Sequence, residues 1–164
     1  MANLDTEALA ALLDRQAIIE VLQRYILGMA DKNHPMVLSC FTEDAEVDYG
    51  FIKLHSRAEM ASFMGGRRGS AGTNLYGIER VTYGAQQLPN IWVTLRGDEA
   101  DVRSEGSSTY AGWRGEEKIV VMRSLTYFDL MRRVDGRWLI ARRDHRPGWR
   151  VELPAVDVPA ELAR

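Results

Sequence analysis

The chain has 164 residues, with 21 Lys and Arg against 23 Asp and Glu and a formal net charge of −2. That length suits one domain with a substantial core, and a near-balanced charge without a basic run argues against a nucleic-acid partner. The single Cys40 cannot form an internal disulfide, Met1 to Asp5 holds no basic n-region, and no apolar run nears 18 residues, so a soluble cytoplasmic protein with no membrane span is expected.

From about Asp5 to Ala30, Leu9, Leu12, Leu13, Ala17, Ile18, Val21, Leu22, Tyr25, Ile26 and Met29 recur at three- and four-residue spacing. That predicts a long helix with a broad apolar stripe. Pro35 opens a second, short helix reaching about Phe41. Ala45, Val47 and Tyr49 alternate with Glu46 and Asp48, a strand pattern that points Tyr49 inward. Ser56 and Glu59 have capping-box spacing, so a third helix starts there. Gly65 to Gly72 follows as a connector or lid; it lacks Gly-Lys-Ser/Thr and is no phosphate loop.

From about Tyr76 to His145 the chain reads as long strands. Three turn signals separate them: Arg96-Gly97-Asp98, Gly112-Trp113-Arg114-Gly115 and Asp135-Gly136. A run such as Lys118 to Arg133, at ~3.3 Å per residue, would reach roughly 50 Å. Such strands must coil, because sheets twist, and the concave face needs the upstream helices to cover it. Between Ala100 and Tyr110 the inner face reads Ala100, Val102, Ser104, Gly106, Ser108 and Tyr110; its small residues leave room for a ligand, and Gly106 could equally be a bulge or a bend. Pro89 implies an edge or a bulge near Asn90. The expected fold is α+β: a strongly curved, mostly antiparallel sheet wrapped around N-terminal helices to form a cone-shaped pocket. Residues 1–164 make one domain, with a core over about 4–149 and an irregular tail from Pro147, where Pro154 and Pro159 recur.

These pieces, in this order, resemble the nuclear transport factor two-like superfamily, also called SnoaL-like. The resembling stretches are Ala17-Ile18-Ile19 with Tyr25 and Asp31, Cys40-Phe41-Thr42-Glu43-Asp44-Ala45, Gly97-Asp98-Glu99-Ala100, and Tyr127-Phe128-Asp129 with Arg133 to Trp138. The superfamily holds scytalone dehydratase, ketosteroid isomerase, polyketide cyclases, hexachlorocyclohexane dehydrochlorinase, bile-acid dehydratase and lyases acting on diarylpropanes. The resemblance implies that Asp31 is the carboxylate of an Asp–His dyad and that Tyr49 matches a tyrosine holding water or the substrate carbonyl. The dyad histidine falls near Gln86-Gln87 and a second one near Tyr110, so this chain departs from the dyad. It also implies self-association as a dimer or trimer through the outer sheet face.

The candidate catalytic residues are therefore Asp31, Tyr49 and Tyr110. Asp31 would act as base or acid in an apolar cup, or else only shape its turn. The two phenols would hydrogen-bond an oxygen that gains or loses charge. Gln86, Gln87 and Asn90 would orient substrate hydroxyls in place of the missing histidine. Ser104 and Ser108 line the inner face, Trp113 sits in a turn where an aromatic substrate could touch it, and His145 lies past the last strand as a rim or satisfied histidine. No metal spacing exists among the three histidines and Cys40, and no cofactor is expected. The expected function is a cofactor-independent lyase, either dehydratase-like or cleaving carbon–carbon bonds as in diarylpropane deformylation. Its substrate would be a hydrophobic, hydroxylated aromatic small molecule. An isomerase, a polyketide cyclase, or a non-catalytic binding or assembly module would fit the same pocket.

Overall fold

A computed structural model describes residues 5–66 and 77–156. The expected connector or lid at Gly65 to Gly72 lies outside the described residues from Arg67 onward. Helix α1 spans Thr6–Ala30, capped by the Asp5 carboxylate, which accepts the Glu7 and Ala8 N–H groups at 3.1 Å. Its buried side is narrower than the sequence stripe. Ile18, Val21, Leu22, Tyr25 and Gly28 face the core, whereas Leu9, Leu12, Leu13 and Leu27 stay exposed. Helix α2 is shorter than expected, His34–Leu38, because Phe41 is needed in the core as the first residue of strand β1, Phe41–Asp48. A short β2, Lys53–Leu54, folds back on β1. Helix α3, Arg57–Gly65, has the expected capping: Ser56 accepts the Glu59 N–H, and the Glu59 carboxylate accepts the His55 N–H.

Four long strands follow: β3 Arg80–Arg96, β4 Glu99–Arg114, β5 Glu117–Val134 and β6 Arg137–Pro154. They form one curved, unclosed sheet in the order β2-β1-β6-β5-β4-β3. Among the described residues only β1 and β6 pair in parallel. Asp135 and Gly136 both take positive φ, as a tight two-residue hairpin turn requires. Helices α1 and α2 and β1 pack with the inner faces of β3 to β6 into one core around Ile18, Leu22, Tyr25, Phe41, Tyr127 and Ile140. The cone is thus built from a coiled sheet and its helical cover.

Strand β3 is an edge strand, and its register slips between Gln87 and Asn90, on either side of Pro89. Both features suit a residue that lacks an N–H donor. The slip decides between the two expectations for Gly106, room for a ligand or a bulge or bend. A Cβ at Gly106 would lie 1.8 Å from the Gln87 carbonyl oxygen and 2.9 Å from Leu88 Cδ2. The space is filled by the β3 bulge itself. Gly106→Ala is expected to displace that bulge and destabilise the protein by at least about 1–3 kcal/mol, the range for overpacking. An unchanged denaturation midpoint would show that the bulge does not sit there.

Two other expectations are corrected. Trp113 is not in a turn: β4 continues through Arg114, the turn is Gly115-Glu116, and the Arg80 and Lys118 cations lie over the indole at 5.3 and 5.9 Å. The chain from Pro147 is not irregular, and the tail does not begin at 150. Pro147 pairs with Leu125 and Pro154 with Ile119. Beyond the Asp48–Asp144 pair β1 has ended, so this length of β6 has a neighbour on one side only and tolerates proline. Residues 157–164 lie outside the described residues.

Candidate active site

The deepest feature of the concave face is an ion pair. Arg143 on β6 sits opposite Asp129 on β5, and two parallel bonds of 2.7 Å join the guanidinium to the carboxylate. Both side chains are fully buried. The guanidinium is stacked 4.2 Å from the Tyr25 ring and 4.1 Å from the Tyr127 ring, with Phe41 at 5.7 Å. Burial alone would push the arginine toward losing its proton, and the Asp129 charge overrides it and keeps Arg143 cationic.

Above this pair lies a layer of phenols. Tyr127 lies edge-on to Tyr25, with ring centroids 6.0 Å apart, and burial, with Tyr25 close by, pushes the Tyr49 and Tyr127 phenols well above the ordinary tyrosine range. They are therefore neutral hydrogen-bond donors at any physiological pH. His145 follows on β6, with its ring centroid 5.3 Å from that of Tyr127 and 6.1 Å from that of Tyr49. The side chain is buried, yet neither ring nitrogen has a hydrogen-bond partner, and the nearby Tyr49 backbone stays outside bonding geometry. Burial lowers its pKa to about 4, with help from the Arg123 charge, so the imidazole is neutral at pH 7.

Register explains why these groups meet. Ser104, Tyr127 and His145 are directly opposite one another on β4, β5 and β6, so they form one row on one face. The Ser104 hydroxyl is also buried without a partner. Nearer the far end of the sheet a second row holds Gln86, Ser108 and Arg123. There Arg123 Nε donates to the Ser108 hydroxyl at 2.9 Å, and the Gln86 amide donates to the Tyr110 hydroxyl at 3.0 Å. The Gln86 Oε1 is a third buried acceptor without a partner. Buried polar atoms are almost always bonded, so unpaired ones on one concave face call for partners that the chain itself does not supply.

The structure therefore separates the ten residues singled out in the sequence. Ser104 and His145 lie in the deep row, with the Tyr49 ring packed against His145; Gln86 and Ser108 lie in the second, with Tyr110 hydrogen-bonded to Gln86. His145 is not past the last strand and is neither satisfied nor at the rim, because β6 continues and turns it inward. Gln87 and Asn90 are exposed on β3 and do not join either row. Asp31 ends α1 as an exposed C-cap residue, its N–H donating to the Leu27 carbonyl at 2.9 Å. Tyr25, Tyr127, Asp129, Arg143 and Arg123 were not singled out. The alternation Leu125, Tyr127, Asp129 was readable as an inner face. Arg143 carried no such signal, because a bulge at Ala141 shifts the faces of β6.

A groove of about 660 Å³ also runs over the sheet past Trp92, Arg103, Phe128 and Asp144, a separate cross-strand row. Its charges largely satisfy each other, Lys53 with Asp48 and Arg146 with Asp144, both at 2.9 Å. It is no rival to the buried rows as a reaction site. Among the described residues no helix is long and apolar enough to cross a membrane.

A helix-covered, coiled antiparallel sheet with a polar centre on its concave face defines an α+β cup of the cystatin-like kind. The chain belongs to the SnoaL-like domain family, whose pattern matches residues 10–144. No curated protein matches it. Among solved structures it is similar to a scytalone dehydratase candidate from Novosphingobium aromaticivorans, at 20% identity over 89% of this chain and 91% of that one, with a TM-score of 0.72. A type 2 hexachlorocyclohexane dehydrochlorinase aligns at 14% identity over 94% and 99% of the two chains, with a TM-score of 0.74. A further N. aromaticivorans protein with a cystatin-like fold aligns at 23% identity over 88% and 90%, with a TM-score of 0.64. At these identities the likeness is one of fold.

Proposed function

We propose that this protein is a lyase that eliminates water, or cleaves a carbon–carbon bond, in a hydrophobic, hydroxylated aromatic small molecule held in the cup. The observation that carries the reading is the deep row, where neutral phenols surround buried polar atoms that lack partners. Phenols that stay protonated can donate to an oxygen as it gains charge, and in a desolvated site that stabilisation is large. An apolar lining of Leu125, Leu88 and aromatic rings suits an aryl body. The scytalone dehydratase candidate and the dehydrochlorinase among the structural neighbours are named for eliminations of this general kind, which supports the class of reaction but not the substrate.

The test is turnover of phenol-bearing diaryl propanediols and benzylic alcohols, followed by the absorbance of the conjugated alkene formed. Tyr49→Phe is expected to lower kcat by roughly 10²-fold, comparable to losing one preorganised donor. Asp31→Asn is expected to leave kcat within about threefold, because the carboxyl stands in solvent; a hundredfold loss would return the base role to Asp31. No alkene from any member of the panel would sink the lyase reading in favour of an isomerase, a cyclase or a binding module. Self-association belongs to the same proposal, through the outer face where Trp92 is 74% exposed, and sedimentation of Trp92→Glu against the parent chain tests it.

A further inference from the structure

We infer that His145 is the proton-accepting catalytic residue of the cup, supplying from β6 the imidazole that β3 and β4 lack. The inference rests on the lyase reading above and adds the identity of its base. Four observations converge on it. His145 is more than nine-tenths buried, and both of its ring nitrogens lack a partner. An unmade bond on a buried polar group costs about 1–3 kcal/mol, so an idle histidine here would be unfavourable twice over. The Ser104 hydroxyl, across Tyr127 in the same row, is unpaired as well, so a substrate hydroxyl, both donor and acceptor, would have an open partner at His145 and a second polar group of the substrate one at Ser104.

The remaining acids on or near this face are committed elsewhere. Both Asp129 oxygens are taken by Arg143, and Asp31 is exposed. The groups that bear on His145 are Tyr49 beyond β1, Tyr127 and Arg123 on β5, and Arg143 and Asp144 on β6. The phenols are neutral and Arg143 is neutralised by Asp129, so Arg123 and burial hold the imidazole unprotonated with its lone pair available. Arg143 and Asp129 are then positioning residues: stacking against Tyr127 fixes the ring that His145 packs on.

The step closes as follows for a diaryl propanediol. The imidazole lone pair takes the proton of the primary hydroxyl. The O–H electron pair becomes the carbonyl of formaldehyde, and the carbon–carbon pair becomes the alkene. The benzylic C–O bond breaks with its pair on oxygen, to which Tyr49 donates a hydrogen bond. The proton held by His145 then passes to the departing hydroxide, which leaves as water. Formaldehyde, water and a diaryl alkene account for every atom, and no oxidant or reductant is needed. For a simple dehydration the same lone pair takes a C–H proton instead.

The experiment compares the full chain with His145→Gln and His145→Asn. A naphthol serves as binding probe, nitrogen NMR of histidine-labelled protein reports the ring, and alkene formation from the diol panel reports turnover. Naphthol is expected to shift the His145 ring signals, sparing His34 and His55. His145→Gln is expected to bind naphthol within about threefold of the parent while losing at least about a hundredfold in kcat, the scale of general base catalysis. The asparagine variant guards against a fold defect, since naphthol binding reports an intact cup. Turnover within about tenfold of the parent in either variant overturns the base assignment and leaves the lyase reading standing. A parent that binds naphthol at His145 but releases alkene from no diol overturns the lyase reading, and the base role with it.

Discussion

Asp129→Asn is expected to destabilise the protein by about 3–5 kcal/mol, because it strands the Arg143 cation in a fully buried site. For a chain of this size that corresponds to a fall in Tm of roughly 6–20 °C. The effect should exceed that of any surface pair here. Arg96–Asp101 and Arg132–Asp44 are at least 40% exposed on both sides, and such pairs contribute about 0–1 kcal/mol. The double variant Asp129→Leu with Arg143→Met gives the contrast. Removing both charges removes both desolvation penalties, so its stability should return to within a few kcal/mol of the parent or rise above it. It should nevertheless lose turnover, because Tyr25 and Tyr127 lose the cation they stack on. Thermal denaturation of the three proteins decides the matter. An Asp129→Asn variant melting within a degree of the parent would mean that the pair is not the buried ion pair described.

Stability should fall steeply between about pH 6.5 and pH 4, and His145 should account for much of it. The pKa is about 4 in the folded protein and near 6.5 when unfolded. Lowering the pH through that window protonates the unfolded chain before the folded one. The unfolded state therefore binds more protons, and stability is lost at up to about 1.4 kcal/mol per pH unit, about 3 kcal/mol in all. Above pH 6.5 the term is constant. The paired carboxylates act lower down: a hydrogen bond from Arg133 holds Asp14 below its ordinary 3.8, so its contribution is lost only as pH falls through that value. Denaturant midpoints across pH 4–7 for the parent and for His145→Phe test this. The phenylalanine variant should show a flatter profile in the window. Identical slopes would mean that the imidazole is solvated in the native state.

The local order of elements was open to reading in the chain. Ser56 and Glu59 capped a helix where their spacing said so, Asp135-Gly136 closed a two-residue hairpin, and Ala100 to Tyr110 put its small and apolar side chains inward. Each of these depends on residues within a few positions of one another. Trp113 failed because Gly112 resembles a turn glycine. In fact it is a strand residue with no room for a side chain: a Cβ there would lie 2.2 Å from the Arg80 carbonyl oxygen. That approach comes from another strand and has no signature nearby in sequence.

The site turned on one residue of register. The hairpin sets Val134 opposite Arg137, and an unbroken ladder from there would place Arg142 opposite Asp129 and Asp144 opposite Tyr127. Instead Met131 pairs with Ile140 while Leu130 pairs with Arg142, so Ala141 is the extra residue of a bulge on β6. Side chains alternate with period two, and one added residue exchanges the faces. Arg143 and His145 turn into the cup, and Arg142 and Asp144 turn out. Sequence by itself determined α1 and α3, the Asp135-Gly136 hairpin and the inner face of β4, because local periodicity and turn chemistry set them. Which charges and which histidine occupy the centre was decided only by tertiary structure, because the core selects the bulge by packing Ile140 and burying Arg143 against Asp129, and nothing local encodes that choice.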